Sequence, residues 1–155
     1  MDTISKATEW LGLNISRERV FHETATAGGR VHASPEIGLV ASIREGFPVE
    51  TVQHILDSGR LNAVEVDRMV LPRKTLANRK KLGALTADQS DRLLRVARVI
   101  AVAEDVFGNE AKAYAWLRRS TTALDGENPL DLLDTEEGAR AVEALLTRIA
   151  HGIAA

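Results

Sequence analysis

Apolar residues recur along this chain at i, i+3, i+4 and i+7, in runs bounded by helix-capping and helix-breaking residues. The first run is short. Ile4, Ala7 and Leu11 share one helical face, and Thr24 to Gly29 (TATAGG) reads as a flexible connector, so residues 1–33 are expected to be only partly ordered. Ser34-Pro35-Glu36 signals a helix start, because Ser can accept orphan amides, Pro suits the first helical position and Glu faces the positive end of the dipole. Gly46 ends this helix, whose predicted inward stripe is Ile37, Val40, Ala41 and the stem of Arg44. Another short helix is predicted from Pro48 to Asp57 on Val49, Val52 and Leu56, and Ser58-Gly59 stops it.

Two helices in close succession follow. Asn62-Ala63-Val64-Glu65 is a capping-box-like start to a helix carrying Val66, Met69 and Val70. Pro72 closes that helix and opens the next, Pro72 to Lys81, which Gly83 terminates. The pair has the layout of a helix-turn-helix. Its second helix bears Arg73, Lys74, Asn78, Arg79 and Lys81 beside one clear inward residue, Leu76.

Thr86-Ala87-Asp88-Gln89 is a capping box that opens the longest predicted helix, running to Phe107. Leu93, Leu94 and Ala97 turn inward, and Val99 to Val106 (VIAVAEDV) is so apolar that this half should be a buried central helix. Gly108-Asn109 starts a helix on Ala111, Tyr114 and Leu117, with Trp116 beside them, and Thr121 to Glu127 is read as loop. Asn128-Pro129 opens one turn holding Leu130, Leu132 and Leu133, and Asp134 with Glu137 is expected to cap the last helix. That helix places Val142, Leu145, Leu146, Ile149 and Ile153 on one continuous seam.

Composition narrows the fold to the all-α class. Only 4% of the 155 residues are aromatic and four are proline, so helix formers outweigh the residues strands favour. The chain has no cysteine, which excludes disulfides, thiolate zinc sites and cysteine nucleophiles. No apolar run approaches the roughly 18 residues of a membrane span, and Met1-Asp2-Thr3 does not begin a signal peptide, so a cytoplasmic protein with no membrane partner is expected.

The net charge of -2 conceals a basic block. From Arg68 to Arg98 there are nine cations against Asp88 and Asp91, while the segments on either side are net acidic. Within the block, Arg92, Arg95 and Arg98 are expected to pair with local carboxylates. Arg73, Lys74, Arg79 and Lys81 suit phosphate neutralisation, and Asn78 and Arg79 suit the edges of adenine and guanine. Chemistry beyond binding has little support. His22, His32, His54 and His151 lack metal-ligand spacing, no phosphate loop or nucleophile motif is present, and Asp131 and Asp134 read as cap and turn residues. A non-enzyme without cofactor or metal is expected.

Three blocks, Leu85 to Gly108 (LTADQSDRLLRVARVIAVAEDVFG), Ala111 to Leu117 (AKAYAWL) and Pro129 to Ala155 (PLDLLDTEEGARAVEALLTRIAHGIAA), resemble the antitoxin family variously called Xre, MbcA or ParS. The resemblance covers residues 44 to 155, with the blocks in the family's order. It implies a helix-turn-helix region followed by a helical toxin-binding domain, in an antitoxin that binds a RES-domain toxin and represses its own operon. RES toxins destroy NAD or transfer its ADP-ribose. The family's Arg-Thr-Leu-x-Arg-Arg run falls on Lys74, Thr75, Leu76, Ala77, Asn78 and Arg79, with two basic positions changed to Lys74 and Asn78, and Val70-Leu71-Pro72 replaces a glycine-bearing turn.

The expected DNA-binding set is therefore Arg73, Lys74, Thr75, Asn78, Arg79 and Lys81. Gly152 can adopt a left-handed cap, and the slender residues after it, with the terminal carboxylate, could enter a cleft built for the pyrophosphate of NAD. The expected toxin-binding set is Arg148, His151, Gly152, Ile153, Ala154 and Ala155, and Leu145, Leu146 and Ile149 are expected to form a homodimer seam. The chain then divides into an N-terminal helical extension (1–46), a helix-turn-helix DNA-binding region (47–84) and a C-terminal toxin-binding and dimerisation domain (85–155). The alternative is a stand-alone helix-turn-helix regulator with no toxin, in which the tail serves only dimerisation.

Overall fold

The computed structural model describes residues 2–14 and 35–152; the expected connector Thr24 to Gly29 and the last three residues, Ile153 to Ala155, lie outside them. The described residues form helices α1 (Thr3–Trp10), α2 (Pro35–Glu45), α3 (Glu50–Asp57), α4 (Ala63–Met69), α5 (Arg73–Leu82), α6 (Ala87–Phe107), α7 (Glu110–Leu117) and α8 (Glu136–Ala150). Two short 3-10 helices, Thr122–Leu124 and Pro129–Asp134, join α7 to α8.

Helix α6 is the axis of the molecule. Its capping box is complete: the Gln89 amide donates to Thr86 Oγ1 at 3.1 Å and the Thr86 amide to Gln89 Oε1 at 3.0 Å. Leu93, Val96, Ala97, Val99, Ile100, Ala101 and Ala103 are buried on several sides, as the apolar run predicts. Helices α1, α2, α4, α7 and α8 and the 3-10 helix Pro129–Asp134 all pack on α6. Helix α1 joins this core directly, burying Ala7 and Leu11 and adding an ion pair from Lys6 to Asp105 of α6.

Four expectations are corrected. Helix α2 presents Leu39 and Ile43 inward, leaving Ile37 60% and Val40 38% exposed with Ala41 and Arg44. Helix α2 packs on α6, and Leu39 and Ile43 are the residues that join that core. Gly46, which ends the helix at φ +91°, sits so close to the Leu85 carbonyl that an added Cβ would lie 2.1 Å from its oxygen. In α7 the inward residues are Ala113, Trp116 and Leu117, with Ala111 exposed, and Trp116 packs at 5.6 Å from the Phe107 ring. Thr135, not Asp134, caps α8, accepting the Gly138 amide at 3.1 Å, because Asp134 is still inside the preceding 3-10 helix. Finally, Leu145 and Leu146 are 3% and 0% exposed. The seam proposed for a second copy is occupied by the chain's own core, since α8 lays it against α6.

Candidate functional site

Helices α4 and α5, joined through Val70, Leu71 and Pro72, are the pair expected to form the helix-turn-helix. Asn62 accepts the Glu65 amide at 2.9 Å while Glu65 accepts the Asn62 amide at 2.9 Å, so α4 starts with both halves of a capping box. Val66, Met69, Val70 and Leu71 are buried and hold α4 to the body. Pro72, extended at ψ 145°, turns the chain into α5, and Gly83 ends it in a left-handed cap.

No residue of α5 is wholly buried. Leu76 is half-buried against the core, with Thr75 and Arg79 beside it. Lys74, Asn78 and Lys81 share the outward face by helical geometry and are exposed, and Arg73 and Lys80 are exposed on its flank. The structure thus separates the six residues of the expected DNA-binding set: Arg73, Lys74, Asn78 and Lys81 are exposed, while Thr75 and Arg79 are half-buried. Among the described residues, none of the five cations of α5 forms an ion pair within the chain. The contrast with α6 is complete. Arg92 pairs with Asp88 at 3.1 Å, Arg95 with Asp91 and Glu136 at 2.9 Å each, and Arg98 with Glu143 at 2.9 Å. The cations of α6 serve the fold, whereas those of α5 are not used by it in this way among the described residues.

At the far end of α8, Arg148 and His151 are exposed and Ile149 is half-buried. His151 Nδ1 lies 2.8 Å from the Thr147 carbonyl, and Gly152, at φ +68°, donates its amide to the Ile149 carbonyl at 3.0 Å. The left-handed turn anticipated at Gly152 is present. Ile153, Ala154 and Ala155 fall outside the described residues.

Between these surfaces lies a polar joint that periodicity does not show. The Arg118 guanidinium, at the end of α7, grips Glu65 of α4 with Nε at 2.7 Å and Nη2 at 3.0 Å, and also donates to the Arg60 carbonyl at 3.2 Å. Burial pushes the Glu65 carboxyl up, but the Arg118 hydrogen bond, the Asn62 amide and the charges of Arg118 and Arg68 outweigh it and hold the group below the usual carboxylate range. Arg60 stacks 3.7 Å over the Trp10 ring and pairs with Glu104 at 3.1 Å, which accepts the Tyr114 hydroxyl at 2.7 Å. Arg68 pairs with Asp131. Arg60 also pairs with Glu110 of α7 at 3.2 Å, so four ion pairs clamp the turn before α4, and α4 itself, to α6, α7 and the 3-10 helix. The only sequence signal was Glu65 in its capping box.

Among the described residues no group of three or more His, Asp or Glu side chains is arranged to hold a metal ion, and no helix is long and apolar enough to cross a membrane.

Two family models match the chain in succession. Residues 38–98 match the model of the antitoxin Xre-like helix-turn-helix domain, and residues 102–152 match that of the antitoxin Xre/MbcA/ParS C-terminal toxin-binding domain. The chain is 34% identical over 146 residues to the antitoxin Xre of Pseudomonas putida, covering 89% of both chains. It is 32% identical over 145 residues to the antitoxin Xre of Yersinia enterocolitica, covering 87% of this chain and 98% of that one. The Prs ADP-ribosylating antitoxin of a Sphingobium species is 35% identical over 136 residues, covering 77% of this chain and 82% of its own. With both family models in order and relatives matching over most of its length, the chain belongs to the Xre antitoxin family of toxin-antitoxin systems.

Proposed function

We propose that this antitoxin neutralises a RES-domain, NAD-consuming toxin through the end of α8 and represses its own operon through α5. The observation that carries the reading is the segregation of charge: among the described residues the five cations of α5 form no ion pair, whereas the cations of α6 are consumed by ion pairs. A helix that displays Lys74, Asn78 and Lys81 on one outward face matches what a major groove requires, cations for phosphates and a planar amide for an adenine edge. Arg73, Thr75 and Arg79 flank that face and would contact the backbone on either side. The name of the Sphingobium relative connects one family member with ADP-ribosylation, a chemistry that starts from NAD. The left-handed turn at Gly152 supports a tail that leaves the helix and, with Arg148 and His151 at its base, enters the toxin's active site and excludes substrate. The role is one of binding rather than catalysis, in the cytoplasm. Self-association, expected because helix-turn-helix units read paired half-sites, uses a surface other than Leu145 and Leu146.

One paired experiment tests both halves. In cells expressing the cognate toxin, deletion of Gly152 to Ala155 is expected to abolish protection of NAD while leaving the shift of the promoter duplex intact. The double variant Lys74→Ala, Lys81→Ala is expected to do the reverse, and its promoter binding should lose about two counterions from its salt slope. Equal NAD protection by truncated and full-length protein moves the inhibitory contact off the tail, and an unchanged promoter shift in the double variant removes α5 from the DNA.

A further inference from the structure

The proposed DNA-reading helix is held in an unusual way. Most helices take their orientation from a buried stripe, but α5 has no wholly buried residue. Its start is also poorly provided for: the cap position is Pro72, which offers no side-chain acceptor, and the first turn holds no acidic residue. Arg73 and Lys74 instead place two cations at the positive end of the helix dipole. Left alone, such an end frays.

The acceptor comes from the previous helix. Asp67, exposed in the last turns of α4, takes the Arg73 amide on Oδ1 at 2.5 Å. Its neighbour Arg68 is engaged with Asp131, and none of the ion pairs among the described residues involves Asp67. The C-terminal end of α5 is tied separately, through backbone bonds from Val49 to the Gly83 carbonyl at 3.1 Å and from Leu85 to the Phe47 carbonyl at 2.9 Å. Asp67 is therefore the side-chain tether at the leading end, and it supplies the carboxylate from outside α5, so that the face of Lys74, Asn78 and Lys81 carries no anion.

We propose that Asp67 is a positioning residue for operator reading: its bond to the Arg73 amide fixes the first turn of α5 and hence the register of Lys74 and Asn78 against the bases. The inference rests on α5 being the DNA-reading helix. It makes a prediction opposite in sign to simple electrostatics, which expects removal of an anion beside five cations to tighten every DNA complex.

The test compares Asp67→Ala and Asp67→Asn with the wild type on two duplexes of equal length, one spanning the protein's own promoter and one of random sequence. Asp67→Ala is expected to weaken promoter binding about fivefold, the size of a lost helix cap, while random duplex is bound as tightly as before or more so. Asp67→Asn keeps an acceptor oxygen without the charge and is expected to return promoter affinity to within about twofold of wild type. Amide exchange supplies a readout independent of DNA: protection of the Leu76 amide, which donates to the Pro72 carbonyl at 2.9 Å, should fall in Asp67→Ala while α6 stays protected. Promoter binding by Asp67→Ala equal to or tighter than wild type overturns the inference. So does a parallel loss on both duplexes with protection lost in α6, which marks general unfolding. A wild type that shifts neither duplex overturns the DNA reading of α5 itself, and the inference falls with it.

Discussion

Glu65 serves two structures with one carboxylate, closing the capping box of α4 and receiving the Arg118 guanidinium from α7. Its carboxyl is held below its ordinary value of 4.5, so folding favours the ionised form. The stability this contributes is fully present above the unfolded value and is lost as pH falls through the lower, folded one. Glu65→Gln should unfold more readily near neutral pH, by about 2 kcal/mol, the order of a part-exposed charge-assisted pair rather than a fully buried one. The gap from wild type should narrow as the solution is acidified below 4.5, because the wild type then loses the same charge. Thermal unfolding of both proteins across that range checks it, and a gap that stays constant would remove the ion pair as the cause. The capping role of Glu65 was readable from Asn62-Ala63-Val64-Glu65. Its partner was not, because Arg118 lies 53 residues further along and a contact at that separation leaves no periodic trace.

Elements announced by their own ends were the legible ones. The capping boxes at Asn62 and Thr86, the glycine turns at Gly83 and Gly152 and the apolar centre of α6 all lie where local rules put them. Rotation about the helix axis was harder to read. Helix α2 carries two apolar faces, Ile37 with Val40 and Leu39 with Ile43, and the choice between them falls to packing on α6, which lies outside the helix. The same limit misassigned α8, where a long seam has the same pattern whether a second copy or the chain's own core covers it. Since α6 covers it, Leu146→Ala should cost about 2 to 5 kcal/mol in unfolding free energy, as for a fully buried leucine. Denaturant unfolding measured at two widely separated protein concentrations is the check. A loss that disappears at high concentration would place Leu146 in a subunit interface instead.

For the whole molecule, the acidic segments around a basic middle resolve into one basic helix on a body whose other arginines are largely paired. A homodimer is expected from the paired half-sites of helix-turn-helix operators, and light scattering of the full chain should give twice the 16.9 kDa of one chain. A single-chain mass at all concentrations would overturn the homodimer. The matches to the two family models meet between Arg98 and Val102, in the middle of α6, with no loop between them. A cut there would split one continuous helix and strip Val99, Ile100 and Ala101 of their neighbours, so neither half is a unit that recombination could move between proteins intact. The proposed operator contact on α5 and the proposed toxin contact at the end of α8 would then be inherited together, and a lineage that changed one partner while keeping the other would do so by exchanging surface residues at one of those two places.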